Sequence, residues 1–382
     1  MSLVTASETA SYDQSGVYKL DLSEVIASIL LEDTGFLSYL GISSEVATQT
    51  KHEWVEDALN PTTISQTAGN SYLSGAADTV VVFSANISRI TAGTILKDQL
   101  SGKTEVMQVT GVSGISATVT RGFGGTTGQV HASEATYDII ANTRPQGMSG
   151  PKDESMTRSK PYNQTQIFSK GVKLTGTATS IDHAGISRED DYQIDKRLRE
   201  LKRELDRSVI MGVRNGQPSD TEYGAMGGII EWVGFIGAEN VSGTAETLTP
   251  SVLNTMAKQV WDDGGMPDFV LVGGTQKQKI SIFDEEYRRS TLDTRKAGYT
   301  IEEFVTDLGM NLRVIVDRWV PTDVVIVGDS SKIKVMPLNG RAFFLEKLGK
   351  TGDSNDWQIV GEYTMEVRNA SEAHAYHFNL KQ

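Results

Sequence analysis

The sequence predicts an α+β fold that is organised around one long helix. Three observations support this class. Residues 187–212 carry the only sustained helical periodicity, residues 70–142 and the C-terminal end carry short β-rich runs, and the middle of the chain mixes helix and strand patterns. One long helix among strand and turn patterns is typical of an α+β protein.

The long helix is predicted by its apolar spacing. Ile194, Leu198, Leu201, Leu205 and Val209 recur at intervals of three and four residues, which places them on one stripe of a helix. Ser187 and Asp190 have the spacing of a capping box, and Gly212 marks the end. Opposite charges four residues apart follow the stripe: Asp195 and Arg199, Lys196 and Glu200, Lys202 and Asp206. Taken alone, such a helix is equally typical of a coiled coil or of the core of any α+β protein.

Residues 1–50 are predicted to form an N-terminal arm with a short helix. Residues 1–20 are polar and without period, which favours an arm that is ordered only by a partner. Asp21 and Glu24 could cap a short helix that carries Val25, Ile26 and Ile29. The apolar segment FLSYLG follows at residues 36–41.

Residues 51–184 are predicted to form an extended loop region with an inserted β-rich module at about residues 72–142. The module contains the β-rich runs 80–83, 105–109, 117–119 and 137–140, which are separated by glycines. Short strands separated by glycine-containing turns indicate a small β-barrel or β-sandwich. Residues 163–181 are extended again and lead into the long helix.

The rest of the chain alternates between helix and strand patterns. Residues 227–237, GGIIEWVGFIG, predict a buried strand, and Thr249 followed by Pro250 predicts the start of a second helix. Further predicted elements are a strand at 269–272, a third helix at 275–283, a hairpin of 304–305 with 312–316, and a closing antiparallel pair of 358–367 with 374–380.

Composition excludes several classes of protein. With 36 basic and 49 acidic residues the net charge is −13, which disfavours a broad nucleic-acid-binding surface. The absence of cysteine excludes disulfides and thiolate metal sites. No apolar run approaches the roughly 18–20 residues that cross a bilayer, and no signal peptide is recognisable at the N-terminus. We therefore expect a protein that has no membrane partner and stays in the cytoplasm of the cell that makes it.

No catalytic, cofactor-binding or metal-binding residue is predicted. The two GKT triplets, at 102–104 and 349–351, have Lys97 and Phe344 where a phosphate loop requires glycine. His374 and His377 lie three residues apart on a predicted strand and therefore face opposite sides. The expectation is a protein that is not an enzyme.

The order of these parts resembles the major capsid proteins of tailed bacteriophages, which share the Hong Kong 97-type capsid fold. Short segments support the resemblance in the same order: TGFLSYLG at 34–41, EWVEDAL at 53–59, NQTQIF at 163–168, DRWVP at 317–321, KLGKTGD at 347–353 and VGEYTMEV at 360–367. The β module is an addition to the minimal capsid fold.

The resemblance implies a division of the chain. A peripheral domain would comprise residues 185–249 and 341–382, with residues 187–212 as its spine helix and the closing hairpin. An axial domain would comprise residues 250–340, and the loop of residues 51–184 would reach across a neighbouring subunit. Such proteins form pentamers and hexamers that close into an icosahedral shell around DNA. They are assembled in the host cytoplasm with a portal and with scaffold or decoration proteins.

Nine apolar residues are predicted to be structural or interface residues: Phe36, Leu37, Trp54, Ile167, Phe168, Ile194, Leu198, Leu201 and Leu205. Because an arm and an extended loop cannot bury their apolar residues within one subunit, we expect Phe36, Leu37, Ile167 and residues 80–83 to need neighbours. The helix stripe is expected to face the closing strands of its own subunit. The alternative functions are another phage structural component, such as a tail-tube or decoration protein, and more distantly a β-rich enzyme.

Overall fold

The computed structural model describes residues 35–381 except 58, 60–61, 68–72, 74, 76–77, 85–86, 148–157, 182–188, 217–222, 238–239, 284–287, 291–300 and 350–351. The helices are α1 (Gly35–Leu40), α2 (Gly176–Ser180), α3 (Glu189–Met211), α4 (Ile229–Glu231), which continues as a π-helix (Trp232–Ile236), α5 (Pro250–Asp262) and α6 (Gly274–Ile280). The strands are β1 (Lys51–Glu53), β2 (Thr63–Ser65), β3 (Val80–Val82), β4 (Thr94–Asp98), β5 (Val106–Ser113), β6 (Ser116–Thr120), β7 (Thr136–Asn142), β8 (Tyr162–Gln164), β9 (Gln166–Thr175), β10 (Val241–Ser242), β11 (Phe269–Val272), β12 (Arg288–Ser290), β13 (Ile301–Val305), β14 (Asn311–Val316), β15 (Val325–Gly328), β16 (Ile333–Pro337), β17 (Phe344–Lys347), β18 (Ser354–Val367) and β19 (His374–His377).

The chain divides into two compact units. The first combines Met1–Trp54 with Lys160–Gln382, and the second is Val55–Ser159. In the first unit, a seven-stranded mixed sheet has the order β10-β19-β15-β11-β14-β13-β12. Its central strands β11 and β15 are buried on both faces: Phe269 and Leu271 of β11 face the core that contains α3, whereas Val270 and Val272 face the core that contains α5. A continuous apolar run such as FVLV is expected for a strand that is covered on both sides.

The second sheet of this unit is organised by β18. This strand of 14 residues pairs with β9 along one edge and with β17 and β16 along the other. Helix α3 packs on β9 and β18. Leu201 and Leu205 of α3 share one core cluster with Phe168 of β9 and Ile359 of β18. The predicted stripe therefore faces β18, as expected, although β9 takes the larger part of the contact.

The second unit is a closed barrel. Its six strands have the order β2-β7-β4-β5-β6-β3, and an antiparallel bridge between Gln66 and Phe83 joins the two ends of the sheet. Ile64, Phe83, Met107 and Tyr137 belong to its apolar core. Because closure pairs the edge strands with one another, the barrel has its own hydrogen-bond network and its own core.

Two predicted elements are wrong. Residues 229–236 are helical and not a strand, because a short apolar run has the same pattern in a buried helix as in a buried strand. The predicted closing hairpin does not form either, since β18 and β19 belong to different sheets. The backbone turns at Asn369, whose φ is 49°, and β19 then pairs with β15 and β10.

Other predictions are confirmed. Helix α5 begins as expected: Thr249 Oγ1 accepts a hydrogen bond from the Val252 amide at 3.4 Å, and Pro250 takes the first position. Strands β13 and β14 form the predicted hairpin. Helix α3 covers most of the predicted long helix, but its proposed cap, Ser187, lies outside the described residues, as does the short helix predicted near residues 21–30.

Candidate functional site

Helix α1 is anchored at its N-terminus by two buried carboxylates from distant parts of the chain. The Phe36 amide donates to Asp317 Oδ2 at 3.0 Å, and the Leu37 amide donates to Asp206 Oδ1 at 2.9 Å. Both aspartates are fully buried. The first amides of a helix have no partner within the helix and carry partial positive charge, so carboxylates are strong acceptors for them. The segment that follows residues 1–34 is thereby fixed to α3 and to the end of β14.

The surroundings of this anchor are closely packed. A Cβ at Gly35 would lie 2.5 Å from the Val316 carbonyl oxygen, so only glycine fits there. Asp317 also accepts the Trp319 amide at 2.9 Å through its second oxygen. The Arg207 guanidinium lies 5.3 Å from the centroid of the Trp319 ring, which is a cation–π distance. The point where residue 35 joins the core is therefore close to the C-terminal half of α3.

A second buried node is formed by Asn163. Its Nδ2 donates to the Gly227 carbonyl at 3.0 Å and to the Met365 carbonyl at 2.7 Å, while its Oδ1 accepts the Gly227 amide at 2.8 Å. Strand β8, the loop before α4 and strand β18 are linked by this one side chain. Beside it, Trp54 packs against Trp232 with ring centroids 5.1 Å apart.

The structure places most of the nine predicted residues inside the subunit. Buried in one core cluster are Phe36, Leu37, Trp54, Phe168, Leu201 and Leu205, and Ile194 and Leu198 pack half-buried against it. The expectation that Phe36 and Leu37 need a neighbour is wrong, because α1 is seated in the core of its own subunit. It is also wrong for Val81 and Phe83, which the barrel buries. Ile167 remains 55% exposed.

Exposed apolar side chains mark the outer face of the sheet that contains β9, β18 and β17. Ile167 is paired with Glu362, and Phe344 is paired with Val360, in the same sheet. All four residues of β17 are exposed. Among the described strands, β9 and β17 each pair only with β18, so the outer edge of each strand is available for another chain.

The barrel holds a buried group of charges. Arg121 donates to both carboxylate oxygens of Glu105, at 2.7 Å each. The ring of His131 lies between Asp98, at 2.6 Å from Nδ1, and Glu105, at 3.0 Å from Nε2. Burial raises the pKa of Glu105, but hydrogen bonds from Arg121, the Gln129 amide, His131 and the Gly122 amide outweigh it and lower the pKa to about 2. These side chains satisfy one another in the interior of the barrel.

The described residues contain no group of three histidine or acidic side chains placed to hold a metal ion. His374 is fully buried, neither nitrogen of its ring has a hydrogen-bond partner among the described residues, and burial lowers its pKa to about 4. His377 contacts Glu246 at 2.8 Å, and His52 contacts Glu366 at 3.2 Å. His183 lies outside the described residues. Where the helices are described, none has the length and apolar character that crossing a membrane requires.

Comparison with known families decides what kind of protein has this architecture. The model of the SU10 major capsid protein family matches residues 4–381. The chain belongs to the SU10 major capsid protein family. It is therefore a phage major capsid protein, a structural component of the virion capsid, and acts as many copies of one chain.

The proteins that this chain resembles differ from it widely in sequence. The chain is 23% identical over 257 residues to the major capsid protein of Escherichia phage Phieco32. The match covers 54% of this chain and 72% of the phage Phieco32 protein. A solved structure from Microbacterium phage Oxtober96 has a TM-score of 0.51 at 10% identity, covering 98% of this chain and 100% of that one. The capsid of a native GTA particle has a TM-score of 0.50 at 10% identity, with the same coverage. At these identities the structures show the fold alone, and they confirm the expected Hong Kong 97-type capsid fold.

Sequence reasoning missed Asp206, Asp317 and Asn163 as structural residues. Asp317 and Asn163 lie in the segments DRWVP and NQTQIF that carried the resemblance, so their position was visible but their bonding was not. For Asp206, a weak signal was present: it lies between the stripe residues Leu205 and Val209 and is the acidic residue of α3 that the core buries completely.

Proposed function

We propose that this protein is the repeating subunit of a closed icosahedral shell, arranged in pentamers and hexamers around phage DNA, and that it acts without catalysis. The observation that carries the proposal is the capsid fold over 98% of the chain together with the family match. The buried charge groups support a purely structural role, since each satisfies its partners in the interior.

The internal contacts of the subunit suit a protein that assembles as a rigid unit. The carboxylate anchor of α1 and the Asn163 node fix distant segments within one core, so each copy presents the same surface to its neighbours. Interfaces of modest size become strong when every subunit makes several of them at once. We place subunit contacts at the outer face and free edges of β9 and β17, where Ile167 and Phe344 are exposed.

The arrangement of regions within the shell follows the same proposal. Residues 1–50 form the arm and the first helix, residues 51–184 reach toward a neighbour and carry the barrel, residues 185–249 with 341–382 form the peripheral domain, and residues 250–340 form the axial domain. Portal, scaffold or decoration proteins complete the particle, and assembly takes place in the host cytoplasm. A net charge of −13 suits a wall that encloses DNA without adhering to it along its length.

Electron microscopy of the purified protein, alone and with companion phage proteins, tests the proposal. Closed shells with fivefold vertices are the expected result. A particle that stays monomeric under every assembly condition would refute it. Tubes or open rings without shells would instead indicate the tail-tube alternative.

A further inference from the structure

Helix α3 carries a basic stripe along one flank of its core contacts, on the side where Asp206 and Ile210 enter the core. Lys196, Arg199, Arg203 and Arg207 follow one another at intervals of three, four and four residues, so they share one side of the helix. At ~1.5 Å per residue the stripe is about 16 Å long. Arg199 pairs with Asp195 at 2.7 Å. Among the described residues, neither Lys196 nor Arg203 has an ion-pair partner.

This stripe is unusual for the protein that carries it. With a net charge of −13, the average surface of the chain is acidic, and a line of four cations on one helix face is a local exception. Such a face attracts an anionic partner and repels a basic one.

The chain supplies an anionic segment next to the stripe. Residues 1–34 contain six acidic residues, Glu8, Asp13, Asp21, Glu24, Glu32 and Asp33, against a single Lys19. They join the core at Gly35, beside Asp317, and the neighbouring Trp319 lies under the guanidinium of Arg207. The acidic segment thus begins where the basic stripe ends.

We propose that residues 1–34 bind along the basic stripe of α3 in their own subunit. Asp33 and Glu32 precede Gly35 by only two and three residues, a reach of roughly 10 Å when extended, which suits Arg207 and Arg203. The next acidic residues, Glu24 and Asp21, are then available to Lys196. A tether this short gives the segment a millimolar effective concentration at the stripe, which a free anion does not have. The proposal concerns the single subunit and does not depend on the shell.

Zero-length carbodiimide cross-linking of the full chain tests the contact, because it joins lysine amines to carboxylates that touch them. We expect an amide link between Lys196 and an acidic residue of the N-terminal segment. In a mixture of ¹⁴N- and ¹⁵N-labelled protein, the linked peptides should carry one isotope only. Links that join the two isotopes would overturn the proposal in favour of a second copy.

Hydrogen exchange with matched variants gives the second measurement. Arg203→Glu reverses a charge on the stripe, and Lys202→Glu makes the same change about 100° around the helix. Amides of residues 1–34 should exchange about tenfold faster in Arg203→Glu than in the unchanged chain, with little change in Lys202→Glu. In the unchanged chain, raising salt to about 1 M, where the Debye length is about 3 Å, should have the same effect as Arg203→Glu. Equal exchange in both variants, or binding of a 20-base-pair DNA duplex that depends on Arg203 while exchange of residues 1–34 is unaffected, would overturn the proposal.

Discussion

The amide of Leu37 donates to Oδ1 of Asp206 at 2.9 Å across 169 residues of sequence. This bond and its counterpart between Phe36 and Asp317 hold the first described helix against the core. Because both carboxylates are fully buried, neither bond can be replaced by water when an acceptor is removed.

Asp206→Ala should lower the free energy of unfolding by about 1–3 kcal/mol, since it leaves the buried Leu37 amide unsatisfied. Asp206→Asn keeps an acceptor oxygen in place and should cost less. Urea unfolding followed by tryptophan fluorescence measures both. The double variant with Asp317→Ala should cost less than the sum of the single changes, because both side chains hold the same helix. Equal stability of Asp206→Ala and the unchanged chain would show that α1 does not depend on this anchor.

The part of the fold that sequence predicts best is the part with local signals. Helix α3 follows from its period, and α5 follows from Thr249 and Pro250 at its start. The anchor of α1 could not be predicted, because its partners are separated by 169 and 281 residues and no local pattern pairs them.

Strand partners were predictable only where the turn between them is tight. Gly309, with a φ of 80°, makes the turn of the β13–β14 hairpin, and that pairing was predicted. Strand β18 has the alternation of a strand but no local sign that β9, nearly 200 residues earlier, is its main partner. The prediction therefore paired β18 with the nearest strand in sequence, β19, whereas in the structure β18 pairs with the distant strand β9.

Acid should loosen the barrel through Glu105. The folded-state pKa of Glu105 is lowered to about 2, so the unfolded chain binds its proton first as pH falls. The stabilisation is fully present above the unfolded pKa of about 4.3 and is lost as pH falls to about 2, by up to about 3 kcal/mol. The five tryptophans lie outside residues 55–159, so fluorescence does not report on the barrel. Unfolding of the barrel by denaturant can instead be followed with a hydrogen-exchange pulse at one fixed pH. The deuterium uptake is then measured in peptides that contain β5 and β6.

The matched control is Glu105→Gln, which removes the titrating group. Its barrel should be less stable than the unchanged barrel at pH 6, and its stability should vary less between pH 4.3 and pH 2. If the unchanged barrel and the variant show the same pH dependence in that window, the charge group around Glu105 does not govern acid stability.

His374 should make the first unit sensitive to milder acid. Burial lowers the pKa of His374 to about 4, so in the unfolded chain, where the pKa is about 6.5, the proton binds more readily. Stability should therefore fall as pH decreases from about 6.5 to about 4. His374→Leu removes the titration and should flatten this dependence in urea unfolding followed by tryptophan fluorescence. A variant whose stability falls as steeply as that of the unchanged chain over this range would contradict the assignment.

A substitution at Ile167 should impair assembly of the shell without preventing the subunit from folding. Its side chain is 55% exposed on the outer face of β9, whereas the neighbouring Phe168 is 3% exposed and belongs to the core. Ile167→Asp should leave the subunit folded at a cost of about 1 kcal/mol, because the position is exposed but lies directly opposite Glu362 in the sheet. The same change introduces a charge into the proposed subunit contact and should reduce the yield of closed shells in electron micrographs. Phe168→Asp, one residue away, should prevent folding itself, because it buries an unpaired charge in the core. Normal shell yield from Ile167→Asp would exclude this face of β9 from the interfaces between subunits.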